Sequence, residues 1–333
     1  MDDVGVVVIG RNEGSRLGAC LASVKADGVP VVYVDSGSTD GSPEVAGEQG
    51  AEVVHLSPEK PFTAARARNA GFAELRRRHA HCEFIQFVDG DCELTPDWLQ
   101  TARRFLSGRP EFALICGALR ERHPERSVYN RLCQLEWRAP EGEIQTSGGI
   151  FMIRAEAYEA VGGMNEALIA GEEPDLCVRL RQNGWRLQRL AHEMATHDAG
   201  MTRFYQWWTR AVRAGHAAAE GVALHGRSPE RFKVKQVRSA MFWGLAAPLA
   251  FVCLSALGFV FAPLWLGSAF IAGAWLWQGL RIAKGRRQLG DTPREARLFA
   301  AFCLLAKLPE SLGVLRWCVK RLRGGPSTLI EYK

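Results

Sequence analysis

Phe84-Ile85-Gln86-Phe87-Val88 runs directly into Asp89-Gly90-Asp91. An apolar run of this length reads as a buried strand. Two carboxylates one residue apart then project from its carboxyl edge, where open α/β sheets bind ligands. Gly90 lets the backbone turn, so the two side chains are expected to converge on one point. Two hard oxygen donors in a cleft suit Mg²⁺ or Mn²⁺, which would in turn hold the phosphates of a nucleotide. An isolated Asp-Gly is more often a turn than a metal site, so the neighbouring segments decide between the two.

Val6-Val7-Val8-Ile9 is a first strand, followed by Gly10-Arg11-Asn12-Glu13-Gly14-Ser15. A helix is expected to start near Ser15 and to bury Leu17, Cys20, Leu21 and Val24. A second strand, Val31–Val34, ends in Asp35 and a Ser/Gly/Thr-rich loop, and Pro43 fits the first turn of the next helix. Strand, polar loop, helix, strand is the βαβ pattern of a parallel sheet. Asp35 at a strand edge suits hydrogen bonding to a base or ribose, whereas Asp40 and Ser42 read as helix caps.

These segments resemble the family 2 glycosyltransferases of the GT-A fold. The resemblance rests on Val8–Glu13, Val34–Asp40, Ala65–Gly71, Val88–Asp91, Gly148–Arg154 and Gly171–Leu180, in that order across roughly the first 200 residues. It implies an α/β, Rossmann-like and mostly parallel sheet with flanking helices. It also implies that Asp35 recognises the nucleotide base, and that Asp89 and Asp91 carry the metal and the donor diphosphate. Arg11, Asn12, Glu13, Gly149, Arg66 and Arg68 fall in the motifs that line the nucleotide-sugar pocket, where a guanidinium can fork onto phosphate or fix a carboxylate. The equally ordinary reading of either arginine is a solvated helix face.

Glycosyl transfer needs stabilisation of a departing nucleoside diphosphate and a base for the acceptor hydroxyl. The family has Glu-Asp at the start of its acidic helix, with the aspartate as base; this chain has Glu172-Glu173, so Glu173 takes that place. Glu172, Glu173 and Asp175 all remain candidates, because acidic residues at a helix start also complement its dipole. A downstream histidine often completes the family's metal shell. His197 suits that role and His192 suits it less well.

Gln206-Trp207-Trp208-Thr209-Arg210 lies where processive members carry Gln-x-x-Arg-Trp, but Ala211 stands in place of the tryptophan. That departure argues against a polymer channel. Trp207 and Trp208 among arginines are expected on an amphipathic helix at a membrane surface.

The 333 residues allow a catalytic domain and an appendage, and nine cysteines without a Cys-x-x-Cys pair point to reduced thiols. No signal peptide is expected at the N-terminus. Met241–Leu280 has no charged residue, roughly twice what one membrane crossing needs. Two helices broken near Ala262-Pro263 fit it, and basic residues on both flanks place both in the cytoplasm. Leu298–Val319 puts Phe302, Leu305, Leu308, Leu312 and Leu315 on one face, with Lys307, Glu310 and Ser311 opposite, and is expected to lie in the membrane interface. The expected organisation is therefore a catalytic domain over 1–225, a basic linker over 226–240, a transmembrane hairpin over 241–281, a basic loop over 282–297, and an interfacial helix with basic tail over 298–333.

The expected activity is metal-dependent, inverting transfer from a nucleotide-sugar, with UDP the first choice, to a lipid-linked or glycan acceptor at the inner face of the cytoplasmic membrane. The net charge of +6 is modest, and no nucleic-acid partner is expected. A nucleotidyltransferase would need a Gly-x-Gly-x-Arg loop after the first strand, and Gly10–Gly14 does not supply it. A non-catalytic membrane scaffold is opposed by Asp35, Asp89, Asp91 and the acidic base position.

Overall fold

The computed structural model describes residues 1–25 and 28–324. The chain divides into two compact units, Met1–Gly200 and Met201–Lys333.

In the first unit the chain runs through β1 (Val4–Gly10), α1 (Ser15–Lys25), β2 (Val31–Asp35), α2 (Ser42–Glu48), β3 (Glu52–His55), α3 (Ala64–Arg78) and β4 (Phe84–Asp89). It continues with β5 (Cys92–Leu94), α4 (Trp98–Ser107), β6 (Phe112–Glu121), α5 (Val128–Glu136) and β7 (Gly142–Glu143). β8 (Phe151–Arg154), α6 (Ala155–Ala160), α7 (Glu172–Gln182) and β9 (Arg186–His197) complete the unit. One sheet is ordered β3-β2-β1-β4-β8-β6-β9-β5, with β7 alongside β9. β3, β2, β1 and β4 are mutually parallel, and β8 enters antiparallel. Helices cover both faces of the parallel half, so β1 and β4 can be buried along almost their whole length. The winding reverses where β4 joins the far side of β1, and a ligand crevice opens outside the carboxyl ends at such a point. The loops after β1, β2 and β4 all end there.

Local signals explain several boundaries. Leu17, Cys20, Leu21 and Val24 are the buried face of α1. The Thr63 hydroxyl accepts the Arg66 amide and starts α3. Asp40 accepts from the Ser42 amide and hydroxyl and from the Gly14 amide, which joins the first two loops.

The second unit holds α8 (Phe204–His225), α9 (Val234–Met241), a π-helical turn over Phe242–Ala246, α10 (Ala247–Gly258), α11 (Leu264–Gln288) and α12 (Pro293–Leu322). α9, the π turn and α10 form one rod, and the break over 259–263 is the one expected at Ala262-Pro263. Three sequence expectations change. The domain boundary falls at Gly200 and not near 225, because α8 packs along α12 in the second unit. The expected basic loop over 282–297 is mostly helical, because α11 continues to Gln288 and buries Arg286 on Asp291 (2.5 Å) and over the Phe299 ring. Trp207 does not lie at a surface; it is buried edge-on to Phe302, 5.0 Å between centroids.

On α12 the polar stripe is the one that packs against protein. Ser311 is buried and donates to Leu308 O, and Lys307 pairs with Glu310 at 2.7 Å beside the packed face. Leu305, Leu308 and Leu312 are exposed. The polar stripe faces protein and the apolar stripe faces out, which is the opposite of a helix packed on the apolar core of a protein in water. Residues 325–333 of the expected tail lie outside the described residues. Among the described residues, Val234–Gly258 and Pro293–Leu322 are long and apolar enough to cross a membrane. α11 is basic over its last turns and apolar only over Leu264–Leu280.

Glycines set the close approach of these helices. A Cβ on Gly313 would collide with the Val212 carbonyl oxygen, one on Gly215 with that of Glu310, and one on Gly244 with that of Lys307. Small residues let helix backbones meet in this way. Gly313→Ala must push α8 and α12 apart, and overpacking of this kind costs about 1–3 kcal/mol. The thermal midpoint of the detergent-solubilised chain should fall; an unchanged midpoint would show that the helices are not in contact there.

Candidate active site

The crevice residues sort into three groups. The first is the pair of loops after β1 and β2. Asp35 is buried (3% exposed) and its carboxylate accepts the amides of Gly37 (3.0 Å) and Ser38 (3.1 Å) and the Tyr33 hydroxyl (3.4 Å). His55 Nδ1 lies 3.8 Å from it. Asp35 thus shapes its own loop. Asn12, in the left-handed region (φ 55), accepts the Thr39 amide at 2.8 Å, while its own amide donates to the Ser38 hydroxyl. Glu13 pairs with Arg16 at 2.8 Å, and the Arg11 guanidinium lies over the Phe62 ring. Arg66 is turned away from the crevice and donates to the carbonyls of Ser57 and Lys60, both at 2.8 Å, so it braces the loop before α3.

Arg68 centres the second group. It is buried (2% exposed) and donates to Asp89 Oδ1 at 2.7 Å, to Gly149 O at 3.1 Å and to Glu172 Oε1 at 3.1 Å. Burial works against its charge, but Asp89 and Glu172 outweigh that and hold its pKa up. Gly149 leaves the room for this contact: a Cβ there would stand 2.9 Å from Asp89 Oδ2 and 3.0 Å from the guanidinium. Its place in the site is spatial.

In the third group, antiparallel pairing of β5 with β9 sets Cys92 opposite His197, and Asp91 precedes Cys92. Asp91 is buried, with Oδ2 3.1 Å from His197 Nε2. The Trp137 ring stacks on the imidazole at 4.9 Å. Asp91, Cys92 and His197 offer three ligand atoms within 4.8 Å of one another. Burial and then Asp91 push the Cys92 thiol well above its ordinary pKa, so it stays protonated and donates to Asp91 Oδ1. Of the three, the Asp91 carboxylate and the His197 imidazole are the harder donors. Asp89 stands outside the cluster, so the two aspartates do not converge as expected: one turns to Arg68, the other to His197. His192 is exposed and is not in the cluster.

The three acids at the start of α7 also separate. Glu172 is tied to Arg68, and Asp175 to Arg179 at 2.8 Å. Glu173 makes no ion pair among the described residues. It is buried, and Oε1 accepts from the Ser147 amide (2.6 Å), the Ser147 hydroxyl (2.8 Å) and the Cys177 thiol (2.8 Å). Burial raises its pKa despite those hydrogen bonds. Ser147, Cys177 and Trp137 are additions that sequence reasoning missed. Ser147 had one usable signal, its place just before Gly148-Gly149; Trp137 had none.

Residues 5–161 match the family described as glycosyl transferase family 2, and residues 128–203 match one described as the N-terminal domain of galactosyltransferase. The chain carries a family 2 glycosyltransferase domain. The pre-mycofactocin glycosyltransferase of Mycobacterium tuberculosis is 28% identical over 237 residues, 67% of this chain and 48% of that protein. Glycosyltransferase AglE of Haloferax volcanii is 23% identical over 204 residues, 57% of this chain and 65% of its own. The chain thus spans about half the length of the mycobacterial relative. A mannosyltransferase from Pyrobaculum calidifontis, solved in complex with GDP-Man and Mn²⁺, superposes with a TM-score of 0.61 at 21% identity, over 93% of this chain and 87% of that one. That likeness establishes the GT-A fold and extends into the helical second unit.

A buried glutamate with a raised pKa costs stability once it ionises. In this glycosyltransferase domain the penalty is absent below the ordinary value of 4.5 and grows as the pH rises through the raised one. Glu173→Gln keeps an acceptor for Ser147 and Cys177 without the charge. Its thermal midpoint should exceed the parent's at pH 7 and match it at the acid end of the range. A variant less stable than the parent at neutral pH would mean that the carboxylate is not desolvated.

Proposed function

We propose that the chain transfers a glycosyl group from a nucleotide-sugar donor, UDP-linked in the first instance, to a hydroxyl of a lipid-linked or other membrane-borne glycan acceptor, with inversion at the anomeric carbon. The observation that carries this reading is the separation of the acids: of the three on α7, Glu173 is the one without a cationic partner, and its pKa is raised. A general base works best with a pKa drawn toward the operating pH.

Asp91 Oδ and His197 Nε2, close together at the crevice and reachable from solvent through His197, fit a divalent ion such as Mn²⁺ or Mg²⁺. When bound there, such an ion supplies Lewis-acid stabilisation of the departing diphosphate. The remaining work falls to the chain's own groups. The loop organised by Asp35 and Asn12 receives the base. Asp89, held by Arg68 and 36% exposed, accepts from hydroxyls of the donor. Glu173 takes the acceptor hydroxyl's proton as that oxygen attacks the anomeric carbon and the bond to the diphosphate breaks. One displacement, with base and leaving group on opposite faces of the sugar, inverts the configuration.

A screen of UDP-, GDP- and dTDP-sugars for metal-dependent release of nucleoside diphosphate tests the site. Asp91→Asn should remove most of that release and its response to Mn²⁺ together, and the product linkage should show inverted configuration by NMR. Parent turnover in Asp91→Asn would overturn the metal assignment, and retained configuration would overturn the single displacement. No release with any donor would favour a non-catalytic scaffold, whereas exchange of sugar phosphate into the nucleotide would favour a nucleotidyltransferase.

The acceptor proposal follows from the second unit. Phe259, Leu266, Phe270 and Trp277 are exposed, and an apolar surface of that extent supports a membrane as what covers it. With basic residues on both flanks of the α10–α11 hairpin, the catalytic domain would lie at the cytoplasmic face of the inner membrane. The chain should stay with the membrane fraction after alkaline carbonate washing, as an embedded helix does. Full release would leave only a surface attachment and remove the reason for a lipid-linked acceptor.

A further inference from the structure

Glu173 stands where the family's pattern has aspartate. Its carboxylate is one methylene further from the backbone and turns about one more bond. Added side-chain freedom blurs the placement of a reacting oxygen unless other groups remove it. Three donors reach one oxygen: the Ser147 amide at 2.6 Å, its hydroxyl at 2.8 Å and the Cys177 thiol at 2.8 Å, all on Oε1. Oε2 accepts nothing among the described residues and is not among the atoms sealed from solvent.

We propose that Ser147 is the positioning residue of the base: it pins Glu173 through Oε1, with Cys177 as second anchor, and so assigns Oε2 as the oxygen presented to the acceptor hydroxyl. This rests on the reading of Glu173 as the base.

The geometry of each anchor supports the assignment. Cys177 is four residues after Glu173 on α7, so its sulfur lies on the same face. Burial next to Glu173 keeps that thiol protonated, so it donates. The Ser147 hydroxyl has one proton and two oxygen acceptors in reach, Glu173 Oε1 at 2.8 Å and Gly148 O at 3.2 Å, with Cys177 Sγ further off at 3.9 Å. The shorter contact and the ionised acceptor favour Glu173. Ser147 precedes Gly148 and Gly149, the latter being the residue whose carbonyl Arg68 holds. One short segment therefore touches both the base and the Arg68 centre. A carboxylate held at one oxygen by three donors swings little, which substitutes for the shorter reach of aspartate.

The test uses the chain of 333 residues and the nucleotide sugar that supports diphosphate release in the donor screen. Ser147→Ala, Ser147→Thr and Cys177→Ala are made in the parent and in Glu173→Gln. Losing one charge-assisted hydrogen bond from a reacting group should lower kcat about ten-fold with donor KM within about two-fold. Ser147→Thr should restore kcat, and Cys177→Ala should show a smaller fall of the same kind. In the Glu173→Gln background Ser147→Ala should cost nothing further, since residues that act as a unit are not additive. An equal fall in both backgrounds, a raised donor KM with kcat kept, or an unchanged kcat would each overturn the role of Ser147. If Glu173→Gln itself keeps the parent kcat, the base assignment fails instead, and the two failures are told apart.

Discussion

The buried guanidinium of Arg68 holds the crevice together. It binds Asp89 at the end of β4, the Gly149 carbonyl before β8 and Glu172 at the start of α7, three segments far apart in sequence. A charge taken out of water needs all its partners. Removing one side of such a pair costs about 3–5 kcal/mol because the other is left uncompensated. Gly149 is bound to the same constraint, since any side chain there would occupy the space of the ion pair. By claiming Asp89 and Glu172, Arg68 leaves Asp91 to His197 and Glu173 without a counter-charge.

That division of acids gives the first unit its chemistry. Of the five carboxylates at the end of β4 and the start of α7, four have cationic or imidazole partners: Asp89 and Glu172 on Arg68, Asp175 on Arg179, and Asp91 on His197. Glu173 is held by neutral donors in a desolvated place, which favours its protonated form and makes it ready to accept a proton when ionised. Such a group lowers stability, and active sites commonly carry that cost.

The second unit follows the opposite solvent rule. The first buries aliphatic strands and exposes charge, whereas α12 turns Ser311 and the Lys307–Glu310 pair toward its neighbours and leucines outward. Close backbone approach at glycine and internal polar contacts mark the packing of this unit's helices. Gly215, Gly244 and Gly313 occupy the three closest approaches. An apolar exterior of this kind is consistent with hydrocarbon as the solvent of α10 and α12.

The strands, their acidic edges and the uncharged span were readable directly, because apolar runs of strand length and a stretch without charge are local properties of the chain. The motif order also carried the family and the sheet. What local pattern leaves open is which charged groups meet. Nothing in Ala65–Gly71 distinguishes Arg66, which braces its own loop, from Arg68, which reaches three other segments. Nothing in Glu172-Glu173 says which one is ion-paired. A moment along α12 locates an apolar stripe but does not say whether protein or membrane lies against it. Asp91 and His197 met because β5 pairs with β9, a register set over a hundred residues of intervening fold. The sequence by itself determined the elements and the chemical inventory at their edges; the tertiary structure decided the pairings, because the charge state and reach of an ionisable side chain depend on neighbours brought in from elsewhere in the chain.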